Sequence, residues 1–169
     1  MTMHQAVAAP TAASALITHL AGHAGSIAQR HGVEVDIHTE LESDLPLRLT
    51  SSLWDALCSV VDNAIEHGFS RSARPATKPP AGQLRLSVWQ ESGETFVEIA
   101  DDGPGVDWDD IRTRCVEQGI PFSGPSAVFE FGVGSRLPLI RRFILGLGGS
   151  CSIDSSPGQG TRFQARFRS

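Results

Sequence analysis

Val97-Glu98-Ile99-Ala100-Asp101-Asp102-Gly103-Pro104-Gly105 is the stretch on which the reading of this chain turns. A hydrophobic strand runs directly into an acidic, glycine-rich turn. Asp101 follows the apolar strand, so its carboxylate is expected to be partly buried and to need hydrogen-bond donors. Asp-Asp-Gly-Pro-Gly is also strong turn chemistry in its own right. Three further boxes surround it. Upstream, Asp62-Asn63-Ala64-Ile65-Glu66-His67-Gly68 closes an amphipathic helix. Downstream, Gly132-Val133-Gly134 opens another helix and Gly158-Gln159-Gly160-Thr161 opens a last strand.

Working outward, the periodicity predicts a helix over 12–31 (Leu16, Ile17, Leu20, Ala24, Ile27, Ala28). A half-buried strand is predicted over 33–39, where Val33, Val35 and Ile37 alternate with Glu34, Asp36 and His38. A second helix spans about 52–67, with Ser52 and Asp55 as a capping box. Its buried face is Leu53, Leu57, Val60, Val61, Ala64 and Ile65. Ser59, Asn63, Glu66 and His67 share another face at three- and four-residue spacing. Residues 69–82 read as a loop, and 84–89 and 95–100 as strands around a Ser92-Gly93 turn. Asp107 caps a helix to about Gln118, with Asp110 as its box partner and Gly119 as its stop. Residues 120–131 read as a loop. A helix over 135–147 is predicted to turn Leu139, Ile140, Phe143, Ile144 and Leu147 inward. Strands at 150–155 and 161–167 finish the chain. This order predicts an α/β (α+β) fold: a two-layer sandwich with a mixed, mostly antiparallel sheet covered by helices on one face.

Composition narrows the function classes. The chain has 169 residues, 40% of them hydrophobic. It is read as a loose tail, 1–11, and one domain, 12–169, long enough for a core. No apolar run approaches the roughly 20 residues of a membrane-spanning helix, so no membrane insertion is expected. The first residues lack the charge and apolar pattern of a signal peptide. Cys58, Cys115 and Cys151 lack metal-like spacing and read as buried thiols in a reducing cytoplasm. A net charge of −5 without a basic cluster argues against nucleic acid as a partner. Lys78 is the single lysine among the 14 basic residues.

The boxes have a common chemistry. A helix beginning after Gly132-Val133-Gly134-Ser135 offers free backbone N–H groups and a positive dipole end to phosphate, and Arg136 adds charge there. Asn63 can supply one hard oxygen to Mg²⁺, which commonly shares its ligands with substrate phosphates. An adenine amino group is one donor that Asp101 could accept from. Gly103 and Gly105 would let the backbone pass close to a flat base and ribose. Thr161 could reach the same base. Taken singly, each has a bland alternative: a flexible helix start, a solvated polar face, an Asx turn, a strand threonine.

Together and in order, the boxes resemble the GHKL ATP-binding domain of gyrase, Hsp90, histidine kinases and MutL, over about residues 33–167. The resemblance implies the Bergerat fold, ATP and Mg²⁺ as cofactors, Asn63 as the magnesium asparagine and Asp101 as the adenine-binding aspartate. Gly103 and Gly105 complete the Asp-x-Gly-x-Gly pattern, and Thr161 falls on the threonine near adenine. His67, Gly132, Gly134 and Arg136 complete the implied nucleotide site. The stretch 62–68 with Arg74, Lys78 and Gly82-Gln83-Leu84, then 101–107 with Ile111, Gly119 and Ile120, is most similar to CheA-type chemotaxis histidine kinases. That branch implies transfer of the ATP γ-phosphate to a histidine on a partner protein, in bacterial two-component signalling, with residues 12–31 as a candidate homodimer contact.

Three departures stand against that pattern. Glu130 occupies a position where glycine is usual. Residues 106–131, which must also hold a helix, leave only a short lid. Ser59 lies where hydrolytic members carry a glutamate base and CheA a histidine, and serine is a poor base at neutral pH. Rapid hydrolysis is therefore not expected. Two alternatives stay open: a regulatory module of the same fold acting by protein contact without turnover, and an anti-sigma-factor-type serine kinase. His19 and His23, four apart on the first helix, form a candidate metal pair or phospho-acceptor, although a pair without a third ligand is usually helix surface.

Overall fold

The computed structural model describes residues 12–42, 45, 47, 50–69, 76–131 and 136–168, with the backbone alone at 12, 130 and 131. The order is α1 (Ala12–His31), β1 (Val35–Leu41), α2 (Ser51–Gly68), β2 (Gly82–Glu91), β3 (Glu94–Asp101), α3 (Trp108–Glu117), α4 (Ala127–Phe131), α5 (Leu137–Gly146), β4 (Ser150–Ser156) and β5 (Gly160–Arg168). One five-stranded sheet runs β1-β2-β3-β5-β4. β1 lies parallel to β2, and every other pairing is antiparallel. The mixed sheet and its helical cover are the predicted two-layer architecture.

The inner face of the sheet follows the period-two pattern. Leu84, Leu86, Val88, Val97, Ile99 and Phe163 are buried under the helices. α1 turns Leu16, Leu20, Ala24 and Ile27 into the same core, and α2 adds the six apolar residues predicted for it. Each fully buried leucine of this set is worth about 1.5–3 kcal/mol of transfer free energy. α1 is also fastened to α2 by polar contacts. His23 Nε2 lies 2.6 Å from Asp62 Oδ1, His31 lies 3.4 Å from Glu66, and His19 packs edge-on against Trp54. His19 and His23 are thus engaged between helices, and no cluster of three metal-ligating side chains occurs among the described residues.

Several boundaries differ from expectation, for local reasons. β1 begins at Val35 because Val33 still donates to Ala28 O at the end of α1. α2 is capped by Thr50, whose hydroxyl accepts from Leu53 N at 3.2 Å, instead of by Ser52. Asp107 caps α3, accepting from the N–H of Asp109 and Asp110, but the Asp110 carboxylate pairs with Arg114 at 2.6 Å instead of reaching back to the cap. The 120–131 segment contains α4, with Ala127, Val128 and Phe129 buried. Ser92 and Gly93 both have positive φ (52° and 79°), the left-handed pair that a two-residue hairpin demands.

α5 departs most. It starts at Leu137, and only Ile140 and Ile144 are buried (2% and 0% exposed). Leu139, Phe143 and Leu147 are 49%, 38% and 38% exposed. The helix lies on the flank of the layer, so a narrower stripe than its apolar pattern touches the core. Cys115 is buried, whereas Cys58 and Cys151 are half-buried. Burial still pushes both of these thiols up to about 11, so they are inert at neutral pH.

Candidate functional site

The sheet and the helix layer part at the end of β3, leaving a cleft of about 350 Å³. Asn63 and His67 reach it from the last turns of α2, Asp101 from the end of β3, Gly105 from the following turn and Thr161 from β5. The register explains the convergence, because Asp101 lies directly opposite Thr161. Val60, Ile99, Ile111, Leu137, Ile153 and Phe163 supply an apolar wall. Sequence separations of up to about a hundred residues therefore collapse into one concave surface with a few convergent polar groups, the usual composition of a small-molecule site.

Asp101 is the most perturbed carboxyl that the site contains. Burial pushes it up from 3.8 to about 6. The backbone N–H groups of Gly103 and Thr161 hold it down, the charge of Asp102 raises it again, and Lys78 lowers it. Gly103 N donates to Asp101 Oδ1 at 2.9 Å, closing an Asx turn. The carboxylate is thus ionised at neutral pH, although burial resists its charge.

The glycines have a packing role that differs from the sequence expectation. A Cβ at Gly103 would fall 2.7 Å from Gly68 Cα, and one at Gly105 would fall 2.3 Å from Ser156 O. What approaches these glycines is the protein's own backbone: the end of α2 on one side and the β4–β5 hairpin on the other. Gly105 also has φ of 77°. Gly160 is tighter still, since its Cβ would meet Asp101 O at 1.9 Å.

Four residues that pattern reading did not assign hold or line this site. Lys78 Nζ donates to the carbonyls of Asp102 and Gly103, tying down the turn. Ser155 Oγ accepts from Val106 N at 2.8 Å. Arg114 and Asp110 line the cleft from α3 as an ion pair. Lys78 was visible as the lone lysine, and Asp110–Arg114 as an i,i+4 pair. Ser155 carried no pattern.

Other predicted residues lie elsewhere. Ser59 is not among the residues lining the cleft, and its hydroxyl donates to Asp55 O at 3.0 Å within α2. Arg136 is exposed and is also absent from the lining. Gly132, Gly134 and Arg74 lie outside the described residues, as does the side chain of Glu130.

A family model described as "Histidine kinase-, DNA gyrase B-, and HSP90-like ATPase" matches residues 48–169. A chemotaxis protein CheA from Rhizobium meliloti (strain 1021) is 28% identical over 160 residues, which cover 81% of this chain and 21% of that protein. The chain spans about a fifth to a quarter of the length of the curated relatives it matches. Among solved structures, the catalytic domain of histidine kinase ThkA superposes with a TM-score of 0.65 at 16% identity, covering 91% of each chain. The mycobacterial sensor histidine kinase MprB superposes with a TM-score of 0.62 at 18% identity, covering 89% of this chain and 93% of that one. At such identities the two structures speak to fold alone.

Proposed function

From the premise that the chain belongs to the histidine kinase-, DNA gyrase B- and HSP90-like ATPase family, we propose that its cleft binds ATP with Mg²⁺. On this reading the domain, residues 12–169, transfers the γ-phosphate to a histidine on a partner protein in cytoplasmic two-component signalling. The observation that supports it is the meeting of Asn63, His67, Asp101 and Thr161 in one cleft with an apolar wall. Asp101 accepts from the adenine amino group, and Thr161 stands beside it. The apolar wall covers the base, while Asn63 and His67 mark the phosphate end. Gly132, Gly134 and Arg136 belong to the same proposal, with the two glycines giving N–H groups to phosphate.

The donor set fits a magnesium ion of the shared kind. One amide oxygen at Asn63, with no cluster of three metal-ligating side chains among the described residues, cannot build a protein cage. It suits an ion that takes its remaining oxygens from phosphate and water. That ion would neutralise phosphate charge. The protein's own part is to place Asn63 on α2 and to exclude water from the base. A homodimer through residues 12–31 would have to use the polar face of α1, because its apolar stripe is buried within the chain.

Calorimetric titration of ATP and ADP with and without Mg²⁺ tests the reading. Asp101→Asn should weaken both nucleotides by about 1.5–3 kcal/mol, the worth of a hydrogen bond to a charged group. Asn63→Ala should remove the Mg²⁺ enhancement while leaving the thermal midpoint nearly unchanged. Absence of binding by the wild type would overturn the assignment. A regulatory module without turnover is favoured by two features, Glu130, where glycine is usual, and the short stretch 106–131 left for a lid. If that carboxylate faces the phosphates, Glu130→Gly should tighten ATP binding by about 3 kcal/mol, the Coulomb term at ~5 Å and an effective dielectric near 20. Equal, tight binding by both proteins would sink that second reading.

A further inference from the structure

Ser155 is absent from the cleft lining, yet its hydroxyl controls a group that lines it. Three partners surround Ser155 Oγ. Val106 N lies at 2.8 Å, Gly160 O at 2.9 Å and Thr161 Oγ1 at 3.1 Å. A hydroxyl has one proton and two lone pairs. Val106 N–H can only donate, so it takes one lone pair. The Gly160 carbonyl can only accept, so it takes the proton. One lone pair is left, and the Thr161 hydroxyl can satisfy it only by donating its own proton. Were the Ser155 proton turned to Thr161 instead, two oxygen lone pairs would face each other at 2.9 Å toward Gly160. The Ser155 backbone is itself pinned, because Trp108 Nε1 donates to Ser155 O at 2.9 Å.

Thr161 therefore offers lone pairs, and not a proton, to whatever enters the cleft. Directly across the sheet register stands Asp101, a carboxylate that is also an acceptor. This end of the cleft presents two acceptors side by side. An exocyclic amino group on a heterocycle, which carries two N–H donors, meets both. An oxo group at the same place meets lone pairs on every side, and a buried acceptor left unpaired is costly. Sites built around such polar pairing discriminate far better than apolar pockets of equal size.

We infer that Ser155 is a specificity-determining positioning residue. By consuming the Thr161 proton it makes the cleft select a 6-aminopurine over a 6-oxopurine. The inference rests on the nucleotide reading above and adds to it the source of base selection. Removing the Ser155 hydroxyl frees the Thr161 proton to turn toward the cleft, where it can donate to an oxo group.

The test is the affinity ratio of ADP to inosine diphosphate, measured by calorimetry on the wild type, Ser155→Ala, Thr161→Val and the double variant. The wild type should prefer ADP at least tenfold. Ser155→Ala should lower that ratio about tenfold, whatever it does to overall affinity through the loosened Val106 turn. Thr161→Val should lower it too, and in that background Ser155→Ala should change the ratio no further. This non-additivity is the mark of a residue acting through its neighbour, and a merely structural role would not produce it. An unchanged ratio in Ser155→Ala overturns the inference, as does an equal effect with and without the Thr161 hydroxyl. A wild type that binds ADP without preference overturns it while leaving the nucleotide reading intact. A wild type that binds neither nucleotide removes that reading and the inference with it. Should Ser155→Ala fail to fold, Ser155→Cys carries the same expectation, since a thiol is a weak donor and acceptor.

Discussion

Asp101 and Gly160 show how tightly single residues bind the candidate site to the fold. The carbonyl of Asp101 sits where a side chain at Gly160 would begin, 1.9 Å from the ideal Cβ position, and Gly160 has φ of 84°. Gly160→Ala adds a backbone collision to a left-handed conformation. Overpacking of this kind costs about 1–3 kcal/mol and the backbone strain about 1–2 more. The variant should therefore unfold at markedly lower urea concentration, or fail to accumulate as a folded protein. Gly158→Ala makes a matched control. Its φ is 77°, but nothing lies within 4 Å of its Cβ position, so it should cost the strain alone.

Among the helices, α5 invites opposite predictions about two apolar residues that look alike in sequence. Ile140 is buried in the core, so Ile140→Ala should cost about 2–5 kcal/mol through lost transfer energy and a residual cavity. Leu139, its neighbour, is half out in solvent, and Leu139→Ser should stay within about 0.5 kcal/mol of the wild type. Denaturant titration of the pair checks the burial of this helix directly. If the two variants lost equal stability, the placement of α5 on the flank would be wrong. At the start of α2, Thr50→Ala removes the hydroxyl that caps Leu53 N and should cost about 1 kcal/mol, whereas Ser52→Ala should cost little.

For the molecule as a whole, the buried Asp101 carboxyl links stability to pH. Its folded value, about 6, stands above the ordinary 3.8. The folded state therefore binds this proton more tightly than the unfolded chain. The stability it confers is fully present below the unfolded value and is lost as pH rises through about 6. The difference corresponds to about 3 kcal/mol. Asp101→Asn removes the charge, so relative to wild type it should gain about 2–3 kcal/mol between pH 4 and pH 7.5, measured by urea unfolding. It should then be more stable at neutral pH while binding nucleotide worse. Wild-type ADP affinity should fall as pH drops through about 6, because protonation removes the charge that makes Asp101 a strong acceptor and turns one of its oxygens into a donor. A pH-independent affinity would place the base elsewhere.

What the sequence by itself determined is what depends on local chemistry. Strand and helix periods, the Asp107 cap, the Ser92-Gly93 hairpin and the order of the four boxes are set within a few residues of each position. They sufficed for the two-layer class and for the family resemblance. Only the tertiary structure decided the rest. The apolar pattern of 135–147 contains five inward candidates, and which of them the core covers depends on where α5 lies against α2 and β4. Gly103 and Gly105 read as room for a ligand, yet their neighbours are Gly68 and Ser156, brought there by the packing of α2 and the pairing of β4 with β5. Lys78 and Ser155 lie 25 and 49 residues from the groups of the turn that they hold, Gly103 and Val106. No local pattern marks such residues, because a hydrogen-bond partner supplied by another strand leaves no periodicity in the chain that receives it.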